Sequence, residues 1–162
     1  MSNDQVQAGN HVQIGDHAPD FTLPTQAGST VSLKDFLGKS IVVLYFYPKD
    51  NTGGCTKEAC SFRDSYEVFK EAGAEVIGVS SDSVASHDKF AQKYRLPFIL
   101  ASDTGGKLRK RYGVPTALGI LPGRVTYIID KQGIVRHISV SHFAPEKHIT
   151  EALNILKELA TQ

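Results

Sequence analysis

The chain has 162 residues, 41% of them apolar, with 18 basic against 17 acidic side chains and a formal charge of +1. That length supports one domain with a real core and makes two independent domains a stretch. The charge balance gives no electrostatic reason to expect nucleic acid or an anionic membrane as partner, and no apolar run approaches the roughly 18 residues of a spanning helix.

Residues 1–10 are polar and without period, and read as a flexible N-terminus ahead of a single domain over 11–162. They have neither the basic start nor the apolar core of a secretory signal, so the sequence reads as a soluble cytosolic protein. Two cysteines, Cys55 and Cys60, are too few for a disulfide-stapled scaffold, and a reducing compartment leaves them as thiols. On spacing alone such a pair is metal-binding, catalytic, or merely two small buried side chains.

From Val12 to Leu33 short apolar pieces are broken by turn signals. Ala27-Gly28-Ser29 reads as a turn between Phe21-Thr22-Leu23 and Thr30-Val31-Ser32-Leu33, a small hairpin-like element. A single helical turn closed by Gly38 follows. Residues 41–47, Ile-Val-Val-Leu-Tyr-Phe-Tyr, carry the strongest strand signal; the run is continuous rather than alternating, which predicts a strand buried on both faces. Next comes one predicted helix over 55–72. Cys55, Ala59, Phe62, Tyr66 and Phe69 form one stripe at steps of four and three, charged residues fill the other faces, and Gly73 is the stop.

A strand over 75–80 leads to a helix capped by Asp82 or Ser83 and running to about Tyr94, with His87 and Phe90 on its inner side. Phe98 to Leu100 predicts a third strand, and a short helix holds Leu108 and Tyr112. The stretch from Gly113 to Gly123, with Pro115, Gly119 and Pro122, reads as irregular. Strands over 124–130 and 134–140 flank a tight turn at Asp130-Lys131-Gln132-Gly133, and a last helix starts near Pro145 with Ile149, Leu153 and Leu156 inward. Crossover helices in the first half demand parallel pairing, and the hairpin adds antiparallel strands. The predicted fold is α/β: a mixed central sheet flanked by helices on both faces.

Cys55 then sits in the first turn of a helix that follows a strand and a glycine-containing loop. Free N–H groups and the helix dipole favour an anion there, and a cation, with Arg124 the candidate, would favour the thiolate further. Thr52 either caps the helix or offers its hydroxyl to a ligand, and the two roles are compatible. Pro48 fixes the backbone at the strand's end, and is equally a plain turn proline. Cys60 is five positions on. Along an intact helix the two Cα atoms are roughly 8–9 Å apart, beyond the 4.4–6.8 Å or so that a disulfide needs. Any cycle joining them requires the first turns to unwind, which Gly53 and Gly54 ease.

The run Tyr47-Pro48-Lys49-Asp50-Asn51-Thr52-Gly53-Gly54-Cys55-Thr56-Lys57-Glu58-Ala59-Cys60, with Pro122-Gly123-Arg124 and the earlier Gly15-Asp16-His17-Ala18-Pro19, resembles the peroxiredoxins, and within them the bacterioferritin comigratory protein or peroxiredoxin Q group. The similarity runs to the last helix. It implies a thioredoxin-like fold and an atypical two-cysteine thiol peroxidase acting on hydrogen peroxide and organic hydroperoxides. Cys55 matches the peroxidatic cysteine and Cys60 the resolving one. Thr52 and Arg124 match the residues that bind and activate peroxide; Pro48, Gly54 and Glu58 belong to the pocket and its helix. A Cys55–Cys60 disulfide recycled by thioredoxin or a similar dithiol, no metal, haem or flavin, and a monomeric state are what the resemblance implies. Gly53 stands where many relatives have proline.

Rival readings are a zinc site, a Cys-x-x-Cys reductase and a non-catalytic thioredoxin-like binding module. The cysteine spacing and the loose pattern of His137 and His142 speak against zinc, and Cys-x-x-Cys is absent. A binding module would not explain Thr52 together with Arg124. The lone histidines, His87 among them, read as surface or packing residues.

Overall fold

The structure, a computed structural model, describes residues 11–114, 116–117, 121–140 and 145–160. The expectations for residues 1–10, Pro115, Gly119 and His142 lie outside these. In chain order the elements are β1 (Thr22–Pro24), β2 (Thr30–Ser32), β3 (Ile41–Phe46), α1 (Gly53–Asp64), α2 (Tyr66–Glu71), β4 (Ala74–Ser80), α3 (Val84–Tyr94) and β5 (Ile99–Ser102). They continue with α4 (Lys107–Tyr112), β6 (Thr116–Ala117), β7 (Leu121–Pro122), β8 (Val125–Ile129), β9 (Val135–Val140) and α5 (Pro145–Ala160). No helix among the described residues is long and apolar enough to cross a membrane.

Five strands form the central sheet in the order β5-β4-β3-β8-β9. β3 and β4 run parallel with Val43 opposite Val76, as do β4 and β5, whereas β3–β8 and β8–β9 are antiparallel. This is the mixed sheet that the alternation of strands and helices requires. β3 sits at its centre, and its residues alternate between two cores. Val42, Leu44 and Phe46 point to one, Val43, Tyr45 and Tyr47 to the other. A strand with two buried faces has no polar side to show, hence the unbroken apolar run. The β8–β9 turn is held by Asp130, which accepts backbone N–H bonds from Gln132 and Ile134, with Gly133 at φ 82°.

One face of the sheet is covered by α1, α2, α3 and α5 through Phe62, Phe69, Phe90, Ile149 and Leu156. The other is covered by α4, through Leu108 and Tyr112, and by the β1–β2 hairpin, through Phe21 and Val31. Helices on both faces are therefore present, but unevenly, with a hairpin doing part of the covering. Gly78 in β4 makes room for this packing: a Cβ there would lie 2.7 Å from the Tyr45 ring. That ring stacks on Phe62 at 4.5 Å between centroids and on Tyr47 at 5.3 Å.

Two elements differ from expectation. The helix predicted over 55–72 starts two residues earlier and is broken at Ser65 (φ −102°, ψ 5°), between α1 and α2. Ser65 still donates its N–H to Ser61, and the break sets the Phe69 ring 5.6 Å from Phe62. Within the irregular stretch, β6 and β7 pair as a short antiparallel ladder with Thr116 opposite Pro122.

Candidate active site

The loop between β3 and α1 delivers the predicted site residues. Tyr47 still donates its N–H to Val79, so the chain stays in register with β4 one residue past β3. Pro48 is half-buried and Lys49 exposed, while Asp50 turns inward and is buried. Asn51 adopts φ 63°, a left-handed conformation that asparagine tolerates better than most residues. Thr52 follows in extended conformation (φ −92°, ψ 156°) at the N-cap of α1. Its side chain makes no cap; the hydroxyl donates to the Lys49 carbonyl at 2.9 Å, which leaves its lone pairs for a donor outside the loop.

Cys55 is the third residue of α1, in the turn whose N–H groups have no partner within the helix. It heads the buried stripe and is 1% exposed. Arg124, the residue before β8, reaches it from across the sheet: its Nη2 lies 3.5 Å from Cys55 Sγ, and its Nη1 donates to Glu58 Oε1 at 2.5 Å. Thiol, guanidinium and carboxylate thus form one buried cluster, with Cys55 and Glu58 both on α1. Gly54 belongs to it by what it lacks, since a Cβ there would sit 3.0 Å from Arg124 Nη2.

Burial pushes the Glu58 carboxyl up, to about 8, against the pull of Arg124. Burial pulls the guanidinium down, but Glu58 and Cys55 outweigh it and the group is held above its ordinary value. Arg124 therefore keeps its positive charge beside the sulfur.

Cys60 stays apart from this cluster. It lies half-buried farther along the same unbroken helix, and both cysteines are free thiols. The helical geometry that separates the pair by roughly 8–9 Å holds throughout α1.

Two further residues that the sequence reading did not single out border this cluster, and a third, outside it, is buried beside the loop that carries Thr52. Arg109 in α4 donates to the carbonyls of Tyr47, at 2.9 Å, and Gly123, at 3.0 Å, tying the end of β3 to the residue before Arg124. Burial pulls its guanidinium down, opposed by Asp103 and Cys55. His148 in α5 is fully buried, with Nδ1 2.7 Å from the Thr126 hydroxyl and 3.9 Å from Glu58 Oε2. His87 in α3, read as a surface or packing residue, is also fully buried, beside Asp50. The two histidines are polar side chains on apolar helical stripes. That anomaly was visible in the sequence, but the partners come from distant elements and were not.

The AhpC/TSA family model matches residues 14–138. The chain belongs to the AhpC/TSA family. It is 60% identical over 149 residues to the chloroplastic peroxiredoxin Q of Triticum aestivum, covering 91% of this chain and 68% of that protein. To the chloroplastic peroxiredoxin Q of Arabidopsis thaliana it is 61% identical over 147 residues, covering 90% and 68%. The crystal structure of the peroxidoxin BcpB of Mycobacterium tuberculosis superposes with a TM-score of 0.84 at 39% identity, covering 91% of this chain and 98% of that one. The reading of the sequence as a peroxiredoxin of the Q group, with the thioredoxin-like fold of that family and thiol-dependent peroxidase activity, stands.

The expectation of a cytosolic protein does not stand, because both plant relatives are named chloroplastic. Compartment is addressed by targeting segments rather than by the folded domain. The expectation rested on residues 1–10 lacking the pattern of a secretory signal, a pattern that does not report a plastid destination.

Proposed function

We propose that Cys55 is the peroxidatic cysteine of this peroxiredoxin and Cys60 its resolving partner, acting on hydrogen peroxide and organic hydroperoxides. The observation that carries the assignment is the Arg124 guanidinium, 3.5 Å from Cys55 Sγ and fixed by Glu58. The Cys55 thiolate attacks one peroxide oxygen; the O–O bond breaks and negative charge gathers on the departing oxygen. Arg124 and the free N–H groups at the start of α1 stabilise that charge where it develops, and the Thr52 hydroxyl, whose own proton goes to the Lys49 carbonyl, accepts the hydrogen bond of the peroxide O–H. Pro48 and Gly54 shape the approach to the sulfur. The products are a sulfenic acid on Cys55 and water or an alcohol.

Cys60 then condenses with the sulfenic acid once the first turns of α1 have unwound, and thioredoxin or a similar dithiol returns both thiols by exchange. The catalytic unit is a single domain over 11–162, working as a monomer without metal, haem or flavin.

One equivalent of hydrogen peroxide added to the reduced protein, followed by intact and peptide mass measurement, tests the reading. The expected product has lost two hydrogens and links Cys55 to Cys60. Cys60→Ser should instead accumulate oxygenated Cys55, and Cys55→Ser should abolish turnover. An unchanged mass, or full turnover in Cys55→Ser, would refute the assignment.

A further inference from the structure

The imidazole of His87 is fully buried, with Nδ1 2.7 Å from Asp50 Oδ2 and Nε2 3.1 Å from the Ala101 carbonyl oxygen. A carboxylate and a carbonyl both accept. The ring thus bridges the Asp50 carboxylate to the backbone of β5. Asp50 is arranged to match. Its Oδ1 accepts from the Tyr47 hydroxyl at 2.5 Å, and its Oδ2 accepts from the Ser86 hydroxyl at 2.8 Å as well as from His87. Burial pushes the Asp50 carboxyl up, but the bonds from His87 and Tyr47 outweigh it and hold it below the ordinary carboxylate value.

Asp50, Asp82 and His87 place ligand-type atoms within 4.8 Å of one another, which invites a metal reading. The oxygens that face inward are already engaged. Asp82 Oδ2 accepts from the Asp50 N–H and the Ser80 hydroxyl, and Asp50 Oδ2 accepts twice. The cluster is a clamp between protein groups. It fastens the β3–α1 loop at Asp50 to α3, to the end of β4 and to β5.

That loop is the segment that must move when α1 unwinds, since Asp50 lies two residues before Thr52 and five before Cys55. We propose that the His87–Asp50 hydrogen bond is a positioning device that keeps the start of α1 wound, and so sets how long a Cys55 sulfenic acid is withheld from Cys60. The inference rests on the peroxidase cycle proposed above. Two fates compete for the sulfenic acid. In one, the Cys60 sulfur attacks the Cys55 sulfur, the S–O bond breaks, and water leaves with the Cys60 proton. In the other, the Cys55 sulfur attacks a second peroxide, the O–O bond breaks, and a sulfinic acid and water are formed. Opening favours the first fate and clamping the second.

The test uses reduced wild type, His87→Gln and Asp50→Asn, turned over by dithiothreitol at rising hydrogen peroxide, with the sulfinic fraction per turnover read by intact mass. Both variants should form the disulfide about tenfold faster and accumulate about tenfold less sulfinic acid per turnover, the scale of one hydrogen bond to a charged group. The rate of the first oxidation should change far less. Val135→Ala, a core truncation on the other face of the sheet, should leave the partition unchanged. A sulfinic fraction at or above wild type in either folded variant overturns the inference, and so does an equal shift in Val135→Ala. Wild type that forms no Cys55–Cys60 disulfide would overturn the cycle itself, a separate and recognisable failure.

Discussion

Replacing Gly53 by proline should stabilise the protein and slow the joining of its cysteines. Gly53 is the first residue of α1, the position where a missing N–H costs nothing and a fixed φ near −65° fits the helix. A Cβ at Gly53 would meet nothing within 4 Å. The preceding residue must be extended for a proline to follow, and Thr52 is, at φ −92° and ψ 156°. Such a compatible substitution stabilises by about 0.4–1 kcal/mol, chiefly by narrowing the states open to the unwound chain. If the start of α1 must unwind before Cys60 reaches Cys55, the same free energy is added to the opening. Disulfide formation should then slow by about two- to fivefold, since 1.4 kcal/mol is a factor of about ten. The chain has no tryptophan, so the rate is best followed by acid quench and mass after one equivalent of peroxide, beside a urea midpoint. A raised midpoint with an unchanged or faster disulfide would show that the start of α1 is not the part that opens.

Gly54→Ala should separate stability from activity. Helix propensity gains about 1 kcal/mol, while the new methyl, 3.0 Å from Arg124 Nη2, displaces the guanidinium; the second-order rate with hydrogen peroxide should fall about tenfold, the loss of about one charge-assisted bond. Glu58→Gln should change the pH dependence of stability. A carboxyl raised from 4.5 to about 8 keeps a proton in the folded state that the unfolded chain releases, so its contribution is complete below 4.5 and lost as pH rises through 8. Urea midpoints of wild type should decline across that window, with a slope of up to about 1.4 kcal/mol per pH unit, and those of Glu58→Gln should not. Gly78→Ala should cost about 1–3 kcal/mol through overpacking against the stacked Tyr45 ring, read as a Tm fall of about 2–12 °C; an unchanged Tm would mean that the ring has room to shift.

Much of this was legible because the signals were local. The continuous apolar run over 41–47 signalled a strand with two buried faces, and the steps of four and three from Cys55 to Phe69 signalled a helix. The break at Ser65 was not legible, because steps of four and three continue across it. Cys55 and Glu58 could be placed on one helix from spacing, and Arg124 could be named as the cation. That Gly54 is required for the guanidinium to approach is a contact between residues 70 positions apart, which no period reports. His87 and His148 show the same limit. Each was readable as a histidine on an apolar stripe, and the partner that gives it meaning, Asp50 or Glu58, lies on another element.

The register of β3 against β8 bears on when the thiol acquires its environment. Phe46 pairs with Val125, so the chain leaves β3 toward Cys55 at the place where it enters β8 from Arg124. The two residues are 69 apart in sequence and meet only through that antiparallel pairing. A chain folded no further than β5 holds both cysteines but not the guanidinium. During synthesis, then, Cys55 meets its guanidinium late, by the closure of a long-range strand pair.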